Sequence, residues 1–327
     1  MKQLPIEKNR TMDFFKMAIL FAIVAAWPKI IPLVGGYTGL AIEMVIFAIF
    51  ALGFDLLLGY TGILSFGQAA YFGLAAYTMG IVCIQFKTPI LLGMLIGIAM
   101  GTLAAIIIGL LIIRKTGIYF AMLTIAFGQM FFFIASRWKT VTGGEDGLTG
   151  IPRDVIPLGI FNWNLKNDLS FYYFVFIFFI AATLIKYWLV ESHFGQVLKT
   201  IRENEKRAQV VGYNVRRYKL YSFIISGIYA AVAGTLYGMF LHYIFPQTMD
   251  WVRSGNVVIM SLIGGLGTLF GPIIGAGVVT YLMNFISYST KYWQFFVGAI
   301  FIIFILFLPQ GIWGLVQTIK TKLKARG

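Results

Sequence analysis

Two apolar runs flank a basic stretch in this chain, and their length decides the fold class. FYYFVFIFFIAATLIKYWLV (171–190) and LYSFIISGIYAAVAGTLYGMFLHYI (220–244) are each long enough for a helix to cross a bilayer, which takes about 20 apolar residues. Runs of similar length recur from Phe14 to Gln310. A transmembrane barrel is excluded, because its strands need only about 10 residues and alternate in polarity. The chain is 59% hydrophobic and 12% charged, roughly half the charge of a soluble domain. The class is therefore an all-α integral membrane protein forming one domain over residues 1–327.

The net charge of +14 would point to nucleic acid in a soluble protein. In a membrane chain it reads as lysines and arginines that set topology and face anionic headgroups, so no nucleic acid partner is expected. The lone Cys83 rules out an internal disulfide and a cysteine-based metal site, and His193 and His242 lack metal-ligand spacing. Neither cofactor nor metal nor catalytic residue is expected.

Lys2, Lys8, Arg10 and Lys16 precede the run MAILFAIVAAW (17–27), in the order of a signal peptide. Glu7 and Asp13 interrupt that basic region and no clear A-x-A site follows, so the expectation is a retained first span. Further spans are read at 40–59, 90–113, 117–136, 171–190, 220–244 and 294–310, with a Gly-broken apolar stretch at 59–84. The region 255–286 is either one long helix or two crossings, and its glycines with Pro272 argue for a break. Two crossings there make about ten in all and put both termini in the cytoplasm. About 17 Lys and Arg then lie inside and about 8 outside, as expected for cytoplasmic loops. The loop 137–170 becomes external. Gly93, Gly97 and Gly101 fall on one helix face and predict close helix packing.

Four stretches carry chemistry. In the loop 191–219, Phe194, Val197, Leu198, Ile201, Ala208 and Val211 recur at helical spacing. Asn204 is placed to cap a second helix and Gly212 to end it. Such a pair presents an apolar ridge either to a groove on a soluble partner or to the lipid surface. In 59–73, Gly59, Gly62 and Gly67 weaken a helix, while Ser65 and Gln68 set polar groups at membrane depth. Irregular backbone there lines a cavity or packs against protein, and half-helix N-termini suit a carboxylate. The run SLIGGLGTLFGP (261–272), with Gly265 and Gly267, lacks the Lys-Ser/Thr of a phosphate loop. It reads as a second helix break, and two breaks in opposite halves point to an inverted repeat. Thr124 and Gln129 are uncharged polar candidates for the same pathway. Glu43 and Asp55 are intramembrane acids, each costing about 2.5–3.5 kcal/mol on insertion scales. No basic residue stands within a span as their evident partner, and a proton-relay role is the rival use for them.

The loop resembles the EAA-type coupling loop of ABC importer permeases. The stretch FGQVLKTIRENEKRAQVVGYNVRRYKLYSFIISGIYAAVAGTLYG (194–238) resembles the LivM-type permeases of branched-chain amino acid ABC transporters. GYTGILSFGQAAYFGLAAYTMG (59–80), GIYFAMLTIAFGQMFF with TGGEDGL (117–147), and MSLIGGLGTLFGPIIGA (260–276) agree, in the same order. Ala208 and Gly212 keep the coupling motif's spacing, whereas Lys206 stands where an acid is usual and Glu205 lies one earlier. The resemblance implies a non-catalytic permease importing branched-chain amino acids across a bacterial or archaeal cytoplasmic membrane. It implies two separate ATP-binding subunits, a homologous second permease and an external substrate-binding protein. It places ATPase contacts at Arg202, Glu203, Glu205, Ala208 and Gly212, and the pathway at Gly62, Ser65, Gly67, Gln68, Thr124, Gln129, Gly265 and Gly267. Rivals are the same architecture carrying urea, amides or a sugar, an ion-coupled secondary transporter, and a channel.

Overall fold

The computed structural model describes residues 10–153, 155–157, 162–308 and 310–324, so Lys2, Glu7, Lys8 and Arg326 lie outside the described residues. The described residues are all-α apart from two short antiparallel pairs. The first half holds α1 (Arg10–Ile30), α2 (Thr38–Asp55), α3 (Gln68–Gln85), α4 (Ile90–Ile112) and α5 (Ile118–Arg137). The segment expected outside forms α6 (Lys139–Thr142), β1 (Leu148–Thr149), β2 (Val155–Pro157) and β3 (Asn162–Asn164). Then come α7 (Asp168–Glu191), α8 (His193–Glu203), α9 (Glu205–Val210) and α10 (Val215–Leu241). The chain continues through β4 (Tyr243–Ile244), α11 (Trp251–Gly264), α12 (Gly271–Ser289), α13 (Trp293–Phe307) and α14 (Gly311–Lys324). Among the described residues, seven helices are long and apolar enough to cross a membrane, and α3, α11 and α13 are shorter or less apolar. The chain is a multi-pass membrane protein.

The helix α2 is the axis of the bundle. Apart from Glu43 and Asp55 it is apolar all round, the pattern of a helix buried on every side, and it packs against α7, α10, α11 and α12. Aromatic rings from α2, α3 and α10 lock together, with Phe50 on Phe72 at 5.1 Å and Phe72 on Tyr237 at 5.4 Å. The small-residue face of α4 packs as its spacing predicts. A Cβ at Gly97 would stand 2.5 Å from the Ala75 carbonyl, and one at Gly101 2.8 Å from Ala231. The opposite face of α4 exposes Leu95, Ile107 and Leu111, as a lipid-facing stripe would.

The segment expected to be external is tied to the α10–α11 connection. Leu148 pairs with Ile244 and Thr149 with Tyr243. Beside it, Arg153 is 5% exposed and donates to Asp168 at 2.7 Å. The region 255–286 divides as its glycines require: α11 ends at Gly264 and α12 begins at Gly271.

Candidate functional site

The first helix break follows α2, where a π-helical turn over Leu56–Tyr60 runs into extended chain before Gln68. The second lies between α11 and α12. The two breaks touch. Asp55, wholly buried at the end of α2, accepts a hydrogen bond from the backbone N–H of Gly267 at 2.8 Å. Its other oxygen accepts from Nζ of Lys186 on α7 at 2.8 Å. Lys186 is 1% exposed and also reaches the carbonyl of Thr268 at 3.5 Å. The absence of a basic partner expected for Asp55 is thus corrected. A lysine stem packs like an aliphatic side chain, so a single Lys among IKYWLV reads as part of an apolar run.

Arg202, near the end of α8, closes this junction. Its guanidinium donates to the carbonyl of Gly59. Gly267 has φ +71, and a Cβ there would lie 2.9 Å from Arg202 Nη1 and 2.9 Å from the Gly59 carbonyl. Gly62 has φ +78, with the Arg202 stem 3.1 Å from its Cβ position. Both positions need a residue free to adopt positive φ and offering no side chain. Gly265, at φ +117, lies beside Gln310 on the approach to α14.

The loop after α7 folds as two short helices at a right place for this contact. The Asn204 side chain accepts from the Arg207 N–H and caps α9. Gly212, at φ +97, lets the chain turn so that Tyr213 N–H bonds the Ala208 carbonyl. The apolar ridge points inward, however. Val197, Ile201, Ala208 and Val215 bury one another, and Leu198 packs with Leu56 and Tyr60. All of the expected ridge but Val211 is spent on holding the loop to its own bundle and not on a partner or the lipid surface, because the ends of α2 and α10 supply apolar surface closer at hand. Ala208 is 0% exposed, so its side chain is a packing residue and not an outward contact. Glu205 pairs with Lys219 at 2.7 Å. The surface the loop presents includes Arg202, Glu203, Lys206, Arg207 and two bare valines, Val210 at 87% and Val211 at 67% exposed.

A second meeting point lies where α3 and α11 begin. The first turns of α3 and α11 abut: the Ala69 N–H donates to Ser254 Oγ at 2.9 Å. The Phe66 N–H donates to Thr124 Oγ1 at 3.0 Å, and Gly67 lies against the Thr124 backbone. Gln129 Nε2 donates to Asp250 Oδ1 at 3.0 Å, and Asp250 caps α11 through the Val252 N–H. Ser65 and Gln68 are fully buried. Both amide atoms of Gln68 lack a hydrogen-bond partner among the described residues.

The residues expected to line one pathway thus fall in two places. Ser65, Gly67, Gln68 and Thr124 cluster where α3 and α11 begin, with Gln129 beside them on Asp250. Gly62, Gly265 and Gly267 lie at the Arg202 junction. Sequence reasoning missed Lys186, Asp250 and Ser254; the lone lysine inside an apolar run was the one available signal. Among the described residues no group of His, Cys, Asp and Glu is arranged to hold a metal ion.

Residues 36–305 match the family described as the branched-chain amino acid transport system permease component. The chain is 24% identical over 315 residues to the Escherichia coli K12 high-affinity branched-chain amino acid transport system permease protein LivM, covering 90% of this chain and 74% of that one. It is 24% identical over 293 residues to the LivH permease protein of the same strain, covering 82% and 91%. Over a shorter stretch of 136 residues it is 27% identical to the Haemophilus influenzae ribose import permease protein RbsC, covering 39% and 42%. No solved structure matches the chain. Its two contacting helix breaks and its inward-docked basic loop are therefore features of a non-catalytic transport subunit, and the chain belongs to the branched-chain amino acid transport permease family.

Proposed function

We propose that this chain forms the translocation pathway of an ATP-driven importer of branched-chain amino acids in a bacterial or archaeal cytoplasmic membrane. Two separate ATP-binding subunits would grip the 191–219 loop, a LivH-like permease would complete the pathway, and an external binding protein would deliver substrate. The observation that carries the proposal is the bond from Arg202 on α8 to Gly59, beside Gly267. Any displacement of α8 by a docked motor is thereby passed to both helix breaks at once. In that scheme the ATPases meet Arg202, Glu203 and Glu205 on the loop, while Ala208 and Gly212 keep its shape.

Ten crossings fit the contacts: α1 to α5, α7, α10, α11, α12 and α13, with both termini cytoplasmic. Supporting this, α3 at 18 residues and α11 at 14 residues are short, about 27 and 21 Å at 1.5 Å per residue. The extended chain 61–67 and the Pro246–Asp250 turn supply the missing depth, so α3 and α11 start inside the membrane and run to opposite faces. This arrangement supports an inverted repeat in which α2–α3 corresponds to α10–α11. The 265–270 break is then not the partner of the first, because two breaks that touch share one face. The opposed N-termini of α3 and α11, with Ser65, Gln68, Thr124 and Gln129, are the proposed midpoint of the pathway. Gly62, Gly265 and Gly267 serve the inner gate.

The ribose permease match keeps a sugar as the second reading of the cargo. An ion-coupled carrier is disfavoured by Asp55, whose charge is taken up by Lys186. The test is uptake of leucine and ribose by proteoliposomes holding this chain and its second permease, with binding protein outside. Leucine uptake that requires the ATPase subunits and ATP is expected. Uptake driven by an ion gradient without ATPases would overturn the proposal.

A further inference from the structure

A polar cavity of about 190 Å³ lies between α2, α11, α12 and the start of α13, lined by none of the residues of the two meeting points although Arg253 stands next to Ser254 on α11. It is smaller than the ~300–1,000 Å³ of pockets that take drug-sized ligands, so it suits a compact molecule. Two opposite charges line it, Glu43 from α2 and Arg253 from α11. Among the described residues Glu43 makes no hydrogen bond and no ion pair, Arg253 included. Arg253 is held instead by aromatic rings, its guanidinium 5.4 Å from Phe47 and 5.3 Å from Tyr237, with Tyr237 OH at 3.5 Å. Among the described residues no acid lies within ion-pair distance of its guanidinium, and Glu43 faces it from across the cavity. Thr280 contributes a buried hydroxyl with no hydrogen-bond partner among the described residues. Asn256, Asn284 and Ser287 add polar groups, and Met260, Met283 and Trp293 form an apolar, soft part of the wall.

Half-buried charges of opposite sign that face one cavity without meeting are costly until something bridges them. A ligand that carries both an ammonium and a carboxylate does so, the ammonium toward Glu43 and the carboxylate toward Arg253, where a guanidinium offers a two-pronged donor. The methionines, which repack readily around varied shapes, and Trp293 accept an apolar side chain. Asn284 on its wall donates to Tyr37 OH at 3.1 Å, which sets the cavity near the α1–α2 connection, at the end of α2 opposite Arg202. We propose that this cavity is an outer subsite for a zwitterionic α-amino acid with an apolar side chain, occupied before the substrate reaches the starts of α3 and α11. The assignment rests on the amino acid reading of the cargo and adds a place and a recognition chemistry to it.

The test uses the assembled transporter in proteoliposomes and a leucine analogue with a diazirine in its side chain. Illumination is expected to leave adducts on Met260, Met283 or Trp293, reduced about tenfold by excess leucine. 3-Methylbutylamine, which lacks the carboxylate, and 4-methylpentanoate, which lacks the ammonium, should each fail to displace the label at the same concentration. Glu43→Gln should lose the preference for leucine over 4-methylpentanoate, and Arg253→Gln the preference for leucine over 3-methylbutylamine; a purely structural role would lower all labelling without changing those ratios. ATP-driven leucine uptake with no leucine-displaceable adduct on α11, α12 or α13 overturns the subsite and leaves the import proposal standing. Displacement by the amine or the acid as strong as by leucine overturns the zwitterion assignment. Neither leucine uptake nor displaceable adducts anywhere in the complex overturns both.

Discussion

Lys186 and Asp55 form an ion pair at 2.8 Å with side chains 1% and 0% exposed, joining α7 to the end of α2. The pair is completed by the Gly267 N–H and the Thr268 carbonyl from the second helix break. Three separate parts of the chain are thus bound at one buried point, directly under the loop that carries Arg202.

Removing one partner leaves the other charge buried and alone, which costs about 3–5 kcal/mol. Lys186→Met and Asp55→Asn should each lower the thermal unfolding midpoint of the detergent-solubilised protein sharply. The double variant Lys186→Met with Asp55→Leu should recover much of the loss, since an apolar pair needs no counter-charge. Additive losses in the double variant would show that the two residues act independently.

Arg202 is expected to separate ATP hydrolysis from transport. In Arg202→Ala the bond to Gly59 is gone while the apolar side of α8 is intact, so the loop stays docked. Leucine uptake should fall by about tenfold or more, a loss of at least ~1.4 kcal/mol in coupling, with ATPase turnover largely kept. Arg202→Lys should restore it only in part, because an ammonium can still donate to the Gly59 carbonyl but does not fill the guanidinium's place beside Gly267. Parallel loss of both activities would mean that Arg202 serves assembly instead.

Gly267 should tolerate no side chain. Gly267→Ala places a methyl against Arg202 and the Gly59 carbonyl in a left-handed conformation that costs an L residue roughly 1–2 kcal/mol. Uptake should drop at unchanged expression. Gly277→Ala in α12 meets nothing within 4 Å and should behave as the wild type or be slightly more stable. Equal behaviour of the two variants in an uptake assay would remove the inner-gate role from Gly267.

Gln129→Leu removes the amide that donates to Asp250 at the start of α11. A carboxylate left short of a donor costs about 1–3 kcal/mol. Gln68→Leu removes an amide with no partner among the described residues, so it should cost little stability but reduce uptake. Midpoints of thermal unfolding and uptake rates measured on both variants distinguish a structural glutamine from one that meets the cargo.

What could be read from the sequence is what local chemistry decides. Asn204 caps α9 and Gly212 closes it because both effects act within a few residues. The glycines of α4 show their packing face through spacing alone. The pairing of Lys186 with Asp55 spans 131 positions and leaves no periodic trace. Nor does spacing tell that the ridge of α8 turns inward, since an apolar stripe is the same pattern whether its partner is another protein, lipid or the chain's own α10. Contact between the two breaks was hidden for a further reason: glycines announce a bend but not what the bend touches.

The loop between α7 and α10 is best tested at Val210, an apolar side chain 87% exposed at the end of α9. Val210→Cys in the assembled transporter, otherwise cysteine-free through Cys83→Ala, is treated with a short bifunctional thiol reagent in the presence of ATPase subunits bearing single surface cysteines. Crosslinks to an ATPase subunit whose yield changes with bound nucleotide, together with labelling of Val210→Cys only from the cytoplasmic side, are expected. Labelling of that cysteine from the exterior, or no crosslink in any nucleotide state while ATP-driven uptake continues, would contradict a motor that grips this loop.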